Sequence, residues 1–201
     1  MPACIKCGAY TKFQNGTCHA CYHSKNGAVS SDYEDDIIGL NDDEWEYRYS
    51  MIKGRIAETL IQELFLSLKY NVFRYGMEHT VPGIAELLRG VKGEVAKQIK
   101  RMPDFVIQHK DSKKTFFVEV KFRANESFSE ENLPLDYPYE NAFIILVSKK
   151  HIKCLSVQEL KNGKAITPSC HNYLGNRKEF DLDKEVIKNF CEFAVQFFAT
   201  V

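Results

Sequence analysis

The chain has 201 residues, 44% of them hydrophobic, with fourteen phenylalanines and a formal net charge of zero. That apolar share supports a core of roughly 155 residues, about one and a half compact domains. With no internal repeat and no long low-complexity tract, it argues against a disordered chain. No apolar run reaches transmembrane length and no signal peptide is recognisable, so a cytoplasmic or nucleoid-associated protein with reduced thiols is expected, neither secreted nor membrane-bound. The neutral total hides a segregation of charge: residues 1–31 carry three lysines and no acid, residues 32–46 carry eight acids and no base, and the remainder holds a net +5.

In chain order, Cys4-x-x-Cys7 and Cys18-x-x-Cys21 come first. Two Cys-x-x-Cys knuckles set four thiolates for tetrahedral coordination of a structural Zn²⁺, and Gly8 suits the tight turn after the first pair. A disulfide framework would need an oxidising compartment. The predicted organisation is a zinc finger over 1–30, an acidic linker over 31–43 and a larger domain over 44–201. The finger's lysines and Tyr10, Phe13 and Tyr22 suit a grip on nucleic acid; a structural staple against the larger domain is the competing role.

A helix is predicted over about 42–69, opened by Asn41-Asp42-Asp43-Glu44 with a capping residue and acids in its first turn. Trp45, Tyr49, Ile52, Ile56, Leu60, Leu64 and Leu68 recur at helical spacing, widened by Ala57, Ile61 and Phe65. Glu58 falls inside this stripe, where a carboxylate must be paired or bind metal; a stripe-edge glutamate is the plainer reading. Gly54 suits a close approach to the sheet, or is a tolerated helical glycine. A strand near 71–77 and a basic helical insertion over about 83–101 follow, and the insertion reads equally as a solvated face.

Two apolar runs then carry polar triplets. Pro103-Asp104-Phe105 opens a strand, a polar connection at 110–114 suits a hairpin, and Glu119-Val120-Lys121 closes the next strand. Side chains alternate along a strand, so Glu119 and Lys121 share a face. Two carboxylates and an ammonium at one end of a sheet make a hard-oxygen site for Mg²⁺ or Mn²⁺ with a cation beside it. Asn141–Val147 is apolar enough for a strand buried on both faces, followed by a strand near 152–157 and a helix over 183–199. The remaining cysteines, Cys154, Cys170 and Cys191, read as core residues or ordinary thiols.

Pro-Asp, a spacer and Glu-x-Lys, with Gly54-Arg55-Ile56-Ala57-Glu58 on the first helix, resemble the PD-(D/E)xK nuclease superfamily, which includes restriction endonucleases and Holliday junction resolvases. The resemblance covers roughly residues 45–160. It implies an α/β fold with a restriction endonuclease-like core, a central mixed sheet flanked by helices in the order helix–strand–strand–strand–helix–strand, beside a small zinc-ribbon-like N-terminal module. It also implies metal held by Asp104, Glu119, the Val120 carbonyl and Glu58, with Lys121 orienting the attacking water or stabilising the transition state; a surface lysine pointing off an edge strand is the plainer reading of Lys121. Arg89, Lys92, Lys97, Lys100, Arg101, Lys113, Lys114 and Arg123 are positioned to neutralise DNA phosphates. The expected activity is a Mg²⁺- or Mn²⁺-dependent DNA endonuclease, restriction-like or structure-selective; an exonuclease and a catalytically silent DNA-binding module are the alternatives. A homodimer follows by analogy with relatives that cut two strands. Nothing resembles a nucleotide-binding loop, so no nucleotide cofactor is expected.

Overall fold

The structure, a computed structural model, describes Cys4, residues 42–77, Ile84, Leu88, residues 90–91 and residues 93–199. Cys7, Cys18 and Cys21 of the expected zinc module, linker residues 31–41, Arg89 and Lys92 lie outside the described residues. The chain divides into two units, Met1–Arg48 and Tyr49–Val201. In the first, Cys4 is buried, and Trp45 and Tyr47 are exposed.

The second unit takes up helix α1 (Asp42–Ser67) from Tyr49. Strand β1 (Tyr70–Arg74), helix α2 (Glu94–Lys100), strands β2 (Phe105–His109) and β3 (Thr115–Phe122), and a 3₁₀ turn at Glu130–Asn132 follow. Strands β4 (Phe143–Val147) and β5 (Ile152–Ser156), helix α3 (Val157–Lys161), a 3₁₀ turn at Leu174–Asn176 and helix α4 (Lys184–Ala199) complete it. The five strands form one mixed sheet in the order β1–β2–β3–β4–β5. Only the β3–β4 pair is parallel.

Helix α1 forms because its apolar residues repeat every three or four positions, and it buries Ala57, Leu60, Ile61, Leu64, Phe65 and Leu68. It stops at Lys69, whose φ of 65° turns the chain directly into β1. The predicted stripe ran further, to Trp45 and Ile52, yet these are 63% and 53% exposed. The reason is length. A 26-residue helix runs about 39 Å, whereas strands of five to eight residues span only about 17–26 Å. Within the second unit, α1 at Ile52 therefore runs past the layer the helix covers. Gly54 lies in this region, and a Cβ there would meet nothing within 4 Å, so the glycine does not mark a close approach.

The predicted β2–β3 hairpin is present, with Phe105 opposite Val118 and Gln108 opposite Thr115. Its 110–114 connection closes through His109 N–H to the Lys114 carbonyl (2.9 Å) and Lys113 N–H to the His109 carbonyl (3.0 Å). His109 Nδ1 accepts from the amides of Asp111 and Ser112, satisfying donors that the turn would leave unpaired.

Val118 and Val120 of β3 point to one face of the sheet, into a core with α1 and α4 that includes Phe65, Ile145, Ile187 and Phe198. The other face carries a second core of Phe128, Tyr137, Ile144, Leu146, Leu155 and Leu160. Strand β4 is buried at all five positions because it feeds both cores, as its unbroken apolar run predicted.

A parallel pair needs a long crossover, here residues 123–142. Where the resemblance implies a helix, the crossover contains one 3₁₀ turn and is fixed by other means. Phe128 bridges to Ile166. Glu126, at φ 53° and only 5% exposed, accepts from Lys153 Nζ (2.9 Å) and from the Ser148 hydroxyl (3.1 Å) and pairs with His151. Lys153 is fully buried in β5 and also donates to the Thr167 and Pro168 carbonyls. No sequence pattern announces this ionic cluster, since it joins residues far apart in the chain.

Candidate functional site

The site assembles where β2 begins and β3 approaches its end. The amides of Tyr75 and Gly76 donate to the Asp104 carbonyl at 2.9 and 3.4 Å, which sets the backbone as the chain enters β2. One step beyond the Phe105–Val118 pair, the antiparallel register brings Asp104 opposite Glu119. Asp104 Oδ2 accepts the Val120 amide at 2.7 Å, so this carboxylate is tied to β3. In an extended strand a residue's N–H and C=O point toward the same neighbour, so the Val120 carbonyl also faces the side on which β2 has run out.

Glu119 and Lys121 share the face opposite Val118 and Val120. Lys121 Nζ and Glu119 Oε1 form a close ion pair. Glu119 Oε2 is buried and has no hydrogen-bond partner. Burial, reinforced by the negative charge of Asp104, pushes the Glu119 carboxyl up to about 7. Lys121 and the Asp104 backbone pull it the other way and lose. Burial opposes charge on Lys121, but Glu119 and Asp104 outweigh it and hold the ammonium above its usual range. The pair thus keeps its proton on the lysine and leaves one carboxylate oxygen poorly served.

A cavity of about 190 Å³ opens beside this pair, lined by Lys100, Arg101, Glu119, Lys121 and Tyr137 with an apolar floor including Phe128. Lys100 ends helix α2, and Arg101 follows it, its guanidinium donating to the Asp136 carbonyl at 3.2 Å. The cavity therefore has acid and base on one wall and two further cations on another. The phenol of Tyr137 is buried without a hydrogen-bond partner. Burial first, then the charges of Glu119 and Asp104, push its pKa upward, so it remains a protonated donor. From the sequence, Asp136, Tyr137 and Tyr139 read equally as groove-lining residues and as turn or core residues; the direction of the Tyr137 phenol was not legible there.

Glu58 is half-buried on α1, across the sheet from Glu119 and Lys121, yet its charge interacts with both. Burial raises its pKa, while Arg74 and Lys121 act in the opposite sense. Arg74, at the end of β1, was not singled out in the sequence. Its Nε donates to Gln62 on α1 at 3.2 Å, placing a guanidinium beside Glu58. Among the described residues, no three His, Cys, Asp or Glu side chains converge closely enough to hold a metal ion. Glu119 feels the charges of Asp104 and Lys121, and Glu58 interacts electrostatically with Glu119 and Lys121 from α1.

The predicted basic set divides. Lys100 and Arg101 line the cavity. Arg123, just past β3, is exposed and interacts electrostatically with Lys121, and Lys97 is exposed and pairs with Glu94 at 3.6 Å. Lys113 and Lys114 lie in the hairpin turn, roughly 17 Å along the strands from Asp104 and at the opposite end of the sheet. The hairpin reverses there, so two residues close to the motif in sequence are held away from it. Lys114 instead lines a separate 320 Å³ cavity with Tyr70, His109 and Lys178. No family model, curated protein or solved structure matches this chain.

Proposed function

We propose that the chain is a metal-dependent DNA endonuclease with a restriction endonuclease-like core and an N-terminal four-cysteine zinc finger. The observation that carries this reading is the buried, unpartnered Glu119 Oε2, set next to Asp104 and Lys121 in a cavity rimmed by Lys100 and Arg101. A buried carboxylate oxygen without a donor is unfavourable, and a divalent cation is the partner that hard oxygens at Asp104 and Glu119 suit. Asp104, Glu119 and the Val120 carbonyl would hold Mg²⁺ or Mn²⁺, with Glu58 acting from α1. When bound, such an ion supplies a water of lowered pKa and neutralises charge developing on the scissile phosphate.

The protein's own groups do the rest. The Val120 amide orients Asp104. Lys121, kept protonated by its carboxylate neighbours, would present positive charge to the phosphoryl oxygens. Lys100 and Arg101 anchor the anionic backbone at the cavity rim. A finger that grips DNA separately favours internal cutting over digestion from ends. Cys4, Cys7, Cys18 and Cys21 would hold the structural Zn²⁺. DNA is the partner, and a homodimer is the assembly proposed for cutting both strands.

The test is incubation of the full chain with plasmid, linear and branched DNA in Mg²⁺ or Mn²⁺. Nicked or linearised circles are expected. Consumption from ends alone would make it an exonuclease. Tight DNA binding without any product would favour a silent binding module, the reading suited to the closed Glu119–Lys121 pair.

A further inference from the structure

Helices α1 and α4 leave an open groove of about 670 Å³ between them, walled by Ile52, Ile56 and Leu60 on one side and by Phe190, Phe193 and Phe197 on the other. Phe193 is 56% exposed, and its ring stacks on that of Phe197 with centroids 6.2 Å apart. Both rings stay at the surface although the core beneath takes Ala194 and Phe198 from the same helix. A contiguous apolar patch of this kind marks an interaction surface. The outer face of α1 identifies the partner. Ile52, Arg55, Thr59, Glu63 and Leu66 are separated by three, four, four and three residues, so all five fall on one stripe of the helix, and all five are exposed. In chemistry the stripe is a palindrome: apolar, cationic, small, anionic, apolar. A second α1 laid antiparallel across Thr59 sets Ile52 against Leu66 and Arg55 against Glu63, each pair formed twice. The opposed charges then lie about 12 Å apart along each helix, symmetrically about the axis. The Thr59 hydroxyl donates to the Arg55 carbonyl at 2.9 Å, so its polar group is satisfied within its own helix and a short side chain is left at the crossing point. A parallel second helix would instead set Arg55 against Arg55 and Glu63 against Glu63.

We propose that this face is the contact between two copies of the chain, an isologous dimer in which the two α1 helices cross antiparallel at Thr59 and the Phe193–Phe197 wall covers Leu66 of the second copy. The charges fix the register and orientation, while the apolar residues supply the burial. The inference gives a surface to the homodimer proposed above, yet it needs no nuclease activity, since it stands on exposed side chains of α1 and α4 alone.

The experiment is sedimentation equilibrium on the full chain at micromolar concentration, for wild type, Arg55→Glu, Glu63→Arg, an equimolar mixture of these two variants, and Leu66→Lys. Wild type is expected to be a dimer. Each single reversal creates two like-charged pairs across the axis and should weaken self-association by roughly 10- to 100-fold. Mixing the two variants should restore association, because every contact in the mixed dimer again joins opposite charges. Leu66→Lys, which leaves both charges in place, should weaken association as well, and it tests the same surface if either reversal fails to fold. A monomeric wild type would overturn the proposal; if that monomer still cleaves plasmid DNA, the nuclease reading survives without the dimer. A dimer that persists through both reversals and Leu66→Lys would place the contact elsewhere and overturn it too, as would a mixture that associates no better than its components. A monomeric wild type whose Tm falls on Phe193→Ser would mean that the groove is covered by another part of the same chain, which also refutes the dimer.

Discussion

Replacing Glu119 by Gln tests the electrostatics of the site without altering its shape. The folded carboxyl titrates at about 7 against an ordinary 4.5. A group whose acidity is weakened by folding opposes the folded state once ionised, so in metal-free protein its effect sets in as pH rises through 4.5 and is complete above 7. The gap corresponds to roughly 3 kcal/mol at alkaline pH, of which a little under 1 kcal/mol is already felt at pH 5. Glu119→Gln mimics the neutral acid and removes this dependence. In chelator-treated protein, urea melts should therefore show the variant gaining on wild type by about 2.5 kcal/mol more at pH 8 than at pH 5. Saturating Mg²⁺ should reverse the order, because only wild type then binds the ion and is stabilised by it. Cleavage by the variant should be lost. Parallel stability curves for the two proteins between pH 5 and pH 8 would refute the argument, because the carboxylate would then carry no burial penalty.

Asp104 is held by the Val120 amide, so Asp104→Ala should abolish cleavage and cost about 1–3 kcal/mol for the orphaned N–H, whereas Asp104→Asn should abolish cleavage with Tm nearly unchanged; calorimetry and plasmid nicking separate the two. Glu58→Gln should raise the Mn²⁺ concentration needed for cleavage with little change in Tm. A sharp fall in Tm with activity kept would make Glu58 a structural partner of Arg74 instead. Lys153→Met leaves Glu126 buried without its strongest partner and should cost roughly 3–5 kcal/mol by urea melts. Burial opposes charge on Glu126, but Lys153, His151 and Ser148 outweigh it and hold its carboxyl below the usual range, so this cluster's contribution is present at neutral pH and fades as acid protonates the group. Purified full chain should carry about one zinc that survives chelation mild enough to strip Mg²⁺, and serine in place of Cys18 or Cys21 should release it, as metal analysis will show.

The elements themselves were legible in the sequence because their signals are local. The three- and four-residue spacing from Ile56 to Leu68 defines a helix wherever it lies, the alternation in Thr115–Phe122 defines a half-buried strand, and the unbroken apolar run of Phe143–Val147 could only be covered on both sides. The pairing of Asp104 with Glu119 was also within reach, since a short polar connection between two strands fixes an antiparallel register and alternation fixes which side chains share a face. What depended on tertiary structure was every feature set by direction or by distance across the chain. Spacing could not reveal that Ile52 stays exposed, because a periodic stripe does not record where its partner stops. Nor could proximity in sequence show that Lys113 and Lys114 lie at the wrong end of the sheet while Lys100 and Arg101 meet the site, since a hairpin moves neighbouring residues apart and a crossover brings distant ones together. The unpartnered Tyr137 hydroxyl, the buried Glu126–Lys153 pair and the reach of Glu58 toward Lys121 follow from packing between separate segments, and burial there, rather than residue type, decides which polar atoms lack partners and which carboxyls resist ionisation.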